Sequence, residues 1–101
     1  MTFAATTALK NHKYSQCHVN TYTDGTIEFV SYSTPVLIIR PDDYVVGLPA
    51  FNCSATTRKQ VGWFLREYAP RISYSFLKLH AEHCLAVHRY NGDYISLVPE
   101  V

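Results

Sequence analysis

No run in this chain approaches the roughly 20 consecutive apolar residues that cross a bilayer. The N-terminal stretch "MTFAATTALKNHKYSQ" also lacks the basic start and long apolar core of a signal peptide. Cysteine is sparse. Cys17, Cys53 and Cys84 are odd in number and widely spaced, with no C-x-x-C pair, so neither a secreted disulfide framework nor a standard zinc or redox pair is written here. These absences set the expectation of a cytosolic protein with reduced thiols.

Charge is scarce as well. Nine Lys and Arg against eight Asp and Glu leave a net charge of +1, with charged residues at only 17%. A general electrostatic grip on nucleic acid or an anionic membrane has no basis in these totals; only a local patch could supply one. Glycine numbers four, and no Walker loop, dinucleotide fingerprint, nucleophile elbow or Ser/His/Asp order is present.

What the chain does have is a globular composition, 48% apolar, on a length of 101 residues that suits one core. Eight tyrosines are a high usage. Tyrosine is amphipathic and loses little entropy on ordering, which suits half-buried strands and binding surfaces.

Residues 1–13 are small, polar and aperiodic, and read as a flexible or loosely docked arm before a single domain over 14–101. "QCHVNTY-TDGT-IEFVSY" reads as a hairpin turning at Asp24-Gly25. A two-residue loop there would set Val19 opposite Val30, Cys17 opposite Tyr32 and Asn20 opposite Phe29. "VLIIR" (36–40) is an unbroken apolar run of the kind covered on both faces, Pro41-Asp42-Asp43 is turn chemistry, and "YVVGLP" returns as a strand. From Ser54 to about Tyr68 the pattern is helical, with Thr57, Val61, Phe64, Leu65 and Tyr68 on one face; Pro70 ends it. A second, shorter helix fits 72–83, with Phe76, Leu79 and His83 turned to the core. Asn91-Gly92 closes the chain with another hairpin. The order β-β-β-β-α-α-β-β makes an α+β domain: a small antiparallel sheet packed against two helices. The edge such a sheet leaves could pair with a second copy.

Several residues invite a chemical reading. Cys53 precedes a helix N-terminus, which lowers a thiol pKa, yet Arg58 makes C-x4-R rather than the C-x5-R of a phosphatase loop, and the glycines are missing. His80, His83, Cys84 and His88, with His18 beside Cys17, meet no standard zinc spacing, so no metal is expected. Asp24, Asp42, Asp43 and Asp93 fall in turns, where they have ordinary structural roles. The helix after Ser54 offers more. Opposite its buried stripe lie Lys59, Trp63 and Arg66, with Arg58 nearby, and Trp63 is the only tryptophan. Such a face is suited to a protein contact or to stacking a base beside a phosphate. Packing of Trp63 against the second helix or the last hairpin is the competing reading.

"SYSTPV" (31–36) and "CSATTRKQVGWFL" (53–65), taken together, resemble a family of small uncharacterised domains widespread in bacteriophage and mobile-element genomes. Ser31, Tyr32, Thr34 and Val36 match its strand motif; Ser54, Thr56, Thr57, Lys59, Phe64 and Leu65 match its helix start. Cys53 replaces the usual tyrosine, and Gln60 the usual histidine. The resemblance implies a phage-type origin and supplies no activity. In physical terms, the Ser-x-Thr-Thr start can cap the helix and tie it to a neighbouring strand, with Tyr32 and Thr34 as candidates, or can hold an anion through Ser54, Thr56 and Thr57.

The expectation is a non-catalytic, cofactor-free accessory protein in the host cytoplasm. It would bind, and inhibit, a host or phage protein through Lys59, Trp63, Arg66 and Arg58. The alternative is a nucleotide- or nucleic-acid-binding module on the Ser54–Lys59 turn.

Overall fold

The structure, a computed structural model, describes residues 2–10, 16–51 and 54–97. Strands β1 (Phe3–Thr7), β2 (Cys17–Tyr22), β3 (Ile27–Ser31), β4 (Thr34–Ile39) and β5 (Tyr44–Gly47) come first. Helices α1 (Ala55–Tyr68) and α2 (Tyr74–Glu82) follow, then β6 (Leu85–His88) and β7 (Tyr94–Ser96). The seven strands lie side by side in chain order, and every neighbouring pair is antiparallel. The helices cross between β5 and β6 and pack back on the sheet. This is the expected α+β architecture with one more strand.

That extra strand comes from the expected N-terminal arm. Phe3–Thr7 are all exposed but pair with β2, and beyond them Leu9 is buried in the core. The Lys10 N–H donates to Glu67 Oε1 at 2.7 Å, fastening this stretch to α1.

The first hairpin turns where Asp24-Gly25 indicates, yet its register is one residue off the expected one. Val19 pairs with Phe29, Asn20 with Glu28 and Cys17 with Ser31. The cause is a three-residue loop: Tyr22 N–H donates to Thr26 O, and Gly25 closes the turn at φ 97°. A left-handed glycine ending such a loop is the common alternative to the two-residue turn. The same occurs at Asn91-Gly92. There only Gly92 is left-handed (φ 76°), and the His88 N–H reaches Asp93 O across a longer loop.

Strand β4 is not covered on both faces. Val36, Leu37 and Ile39 are buried, whereas Ile38 is half-exposed opposite Glu28 and Val46. A bulge between Phe29 and Val30 shifts the β3–β4 register and accounts for two successive buried residues, Val36 and Leu37. Beside Ile38 and Val46 the outward face carries a polar cluster: Asn20 and Tyr22 both donate to Glu28 Oε1, at 3.0 and 2.9 Å.

The inner face carries an aromatic column. Phe29 stacks on Phe64 at 4.7 Å between centroids, and Phe64 on Tyr68 at 4.8 Å. Phe29 and Phe64 are fully buried. Truncating either to Ala would cost about 3–5 kcal/mol through lost burial and the cavity left behind. Helix α1 ends as Pro70 dictates, with the Ala69 N–H donating to Leu65 O. Helix α2 shows the other correction. Its buried stripe is Leu77, with Tyr74 and Ala81 packed beside it, while Phe76, Leu79 and His83 face outward. Its nine residues are apolar on several sides, so periodicity alone does not choose a face.

Candidate functional site

The start of α1 is built from hydroxyls. Ser54 is the N-cap: its Oγ accepts the Thr57 N–H at 3.1 Å, and its hydroxyl also bonds Thr57 Oγ1 at 3.1 Å. Thr57 is buried and lies 3.4 Å, oxygen to oxygen, from Ser31. The Ser31 hydroxyl donates to Gln60 Oε1 at 2.5 Å. Ser31, Thr57 and Gln60 are each at most 3% exposed, so this network lies between α1 and the end of β3. It joins the two halves of the sequence motif. The strand partner is Ser31, not Tyr32 or Thr34, which are exposed. Tyr32 instead forms the tip of the β3–β4 turn in a left-handed conformation (φ 57°). Of the anion-site candidates, Thr56 is exposed, whereas the Ser54 and Thr57 hydroxyls bond within the fold. Cys53 lies outside the described residues.

Of the expected contact residues, α1 brings Lys59 and Trp63 together. Arg58, Lys59 and Arg66 are exposed. Trp63 is half-buried: one part packs against the core, and Lys59 Nζ sits 5.6 Å from its ring centroid. Trp63 therefore packs on the core with part of its surface open beside Lys59. A cation over an indole face is attractive, and at an exposed site contributes about 0.5–1 kcal/mol.

A second region departs from the expectation that Phe76 and Leu79 face the core. Helix α2 and the β6–β7 hairpin expose Phe76, Leu79, Tyr90 and Tyr94. His80 links the two elements, with ring centroids 4.3 Å from Phe76 and 5.5 Å from Tyr94. An open groove of about 380 Å³ runs beside this cluster, bordered by Arg71, Phe76, His88 and Tyr90. A second of about 380 Å³ adjoins it through Arg71, Ile72 and Ser73 and reaches Arg66 and Tyr74. The clue in the sequence was that 74, 77 and 81 also make a helical stripe, one that frees Phe76.

The histidine and cysteine cluster does not converge. His80 Nδ1 is 2.8 Å from Phe76 O, one turn earlier on its own helix. His88 Nδ1 accepts the N–H groups of Tyr90 and Asn91 at 3.2 and 3.4 Å, organising the hairpin turn. Cys84 is exposed at φ 56°, just past the end of α2. Cys17 is buried, which raises its thiol pKa. Among the described residues, no three His, Cys, Asp or Glu side chains are grouped closely enough to share a metal ion. No described helix is long and apolar enough to cross a membrane.

Three of the turn carboxylates, Asp24, Asp42 and Asp43, have structural partners. Asp42 pairs with Arg40 at 2.8 Å. Asp43, left-handed at φ 71°, pairs with Arg89 at 3.0 Å. The Arg89 guanidinium also donates to Tyr68 O at 2.9 Å, clamping the end of α1 to the β4–β5 turn. Asp24 accepts the Thr26 N–H at 2.9 Å, and that bond holds its carboxyl below the usual range.

Comparison with protein-family models, curated proteins and solved structures finds no match for this chain.

Proposed function

We propose that this protein is a non-catalytic binding domain of phage type, which acts without a cofactor by engaging, and thereby blocking, a host or phage protein in the host cytoplasm. The observation that carries the reading is the outward side of α1, where Lys59 lies over Trp63 and Arg58 and Arg66 are exposed. Tryptophan and arginine dominate the binding energy of protein interfaces, because a ring buries a large area and a guanidinium donates in a fixed fork. The phage-type origin and the host partner rest on the motif resemblance at Ser31–Val36 and Ser54–Leu65.

A nucleotide or nucleic-acid module on the Ser54–Lys59 turn has less support, since the Ser54 and Thr57 hydroxyls already bond within the fold. Affinity capture from host lysate, with and without nuclease and across a salt series, separates the two. One recurrent protein, retained after nuclease and little affected by salt, supports the interface reading. Recovery that disappears with nuclease and falls steeply with salt contradicts the interface reading and supports nucleic-acid binding.

A further inference from the structure

We infer that the paired grooves around Arg71 form a binding site for a phosphate-bearing nucleobase, either a free nucleotide or a residue of a single strand. The site is separate from the Lys59–Trp63 surface, although Arg66 borders both. One groove, about 380 Å³, has Phe76, Tyr90 and His88 at its edge. Its neighbour, of about 380 Å³, carries Arg66 and shares Arg71. Neither has a carboxylate among its described lining residues. An aromatic compartment beside a cationic one, with no carboxylate among the described lining residues, complements a ligand that is planar at one end and anionic at the other.

The individual groups fit that division. Phe76 and Tyr90 are large, exposed aromatics, at 38% and 50%. Each is supported from within the fold: Phe76 by the His80 ring at 4.3 Å, and Tyr90 by the Arg89 guanidinium 4.7 Å from its centroid. Supported rings form a stacking platform at low entropic cost, and stacking accepts any base. Arg71 is exposed and donates one N–H to Tyr90 O at 2.9 Å, so the cation is held at the junction of the two compartments. A guanidinium has five donors, so the remaining ones can meet phosphate. His88 uses Nδ1 as an acceptor for the turn N–H groups, which places the ring proton of the neutral imidazole on Nε2 as a donor.

The test is fluorescence anisotropy of a short labelled oligothymidylate with the full chain, repeated for Phe76→Ala and Arg71→Gln. Circular dichroism and melting of each variant confirm that it remains folded. Thymidine monophosphate and polyglutamate serve as competitors. The site predicts that Phe76→Ala weakens binding roughly five- to hundredfold, the range expected for loss of one stacked base. Arg71→Gln should lower the slope of log affinity against log salt by about 0.7, the share of one phosphate on a single strand. Competition by the mononucleotide assigns a free nucleotide as sufficient; its failure to compete assigns the strand. Absence of oligonucleotide binding, binding that both variants leave unchanged, or equal displacement by polyglutamate would overturn the site. Trp63→Ala leaves this readout unchanged, so failure here and failure of the protein interface are distinguishable.

Discussion

The Ser31 hydroxyl donates to the Gln60 side-chain carbonyl inside the protein, joining the end of β3 to the second turn of α1. Both residues are 3% exposed. A buried acceptor deprived of its donor retains its desolvation cost, so Ser31→Ala should destabilise the fold by about 1–3 kcal/mol in urea unfolding. Adding Gln60→Met removes the orphaned acceptor and should recover part of that loss. Strictly additive losses would show that the two side chains are not coupled.

Tyr74 presents the opposite case. Its hydroxyl is buried and has no hydrogen-bond partner among the described residues, while its ring lies 5.9 Å from that of Phe51. Tyr74→Phe should therefore raise stability by about 1 kcal/mol. Burial also raises the Tyr74 pKa. With the folded pKa above the unfolded value of about 10, the associated stability is complete below that pH and is lost as pH rises toward the folded pKa. The variant should show a shallower alkaline decline than the parent; an unchanged decline would contradict the assignment.

Asp24 governs an acid-side effect. The Thr26 N–H bond lowers its carboxyl pKa, so its contribution is present above the unfolded value of about 3.9 and disappears as pH falls through the folded one. Asp24→Asn keeps a carbonyl for the turn and removes the titration. The stability gap between parent and variant should narrow as pH drops below about 4. A constant gap would rule out this titration.

At Gly47 the sheet lies close against Ala81 of α2 and the Phe51 ring. A Cβ there would lie 3.2 Å from the Phe51 ring and 3.3 Å from Ala81 Cβ. Gly47→Ala should cost about 1–3 kcal/mol through overpacking, read as a lowered melting temperature.

The fold was largely legible in these residues, and the failures share physical causes. Val61, Phe64 and Leu65 announced the buried face of α1, because one apolar stripe alternated with charge. Gln60 lies in that same stripe but is polar, so nothing in the pattern marked it as buried until Ser31 appeared beside it. Asp24-Gly25 and Asn91-Gly92 located both hairpins. A left-handed glycine can end loops of several lengths, so the register remained open, and a one-residue slip changes every cross-strand pair. Residues 3–7 carry neither charge nor alternation; their strand exists because β2 offers an edge. In α2, tyrosine, phenylalanine and leucine fall on several sides, and only packing against β5 and β6 shows that Leu77 turns inward. The aromatic groove was therefore hidden, whereas the Lys59–Trp63 side of α1 could be read from spacing alone.

The central claim is that this side of α1 is a protein-binding face, and the direct measurement compares capture by the parent and by the Trp63→Ala, Arg66→Ala double variant. Both should melt cooperatively and retain the same secondary structure. The account predicts that a nuclease-resistant partner held by the parent is lost from the double variant; undiminished retention by the folded double variant would contradict it.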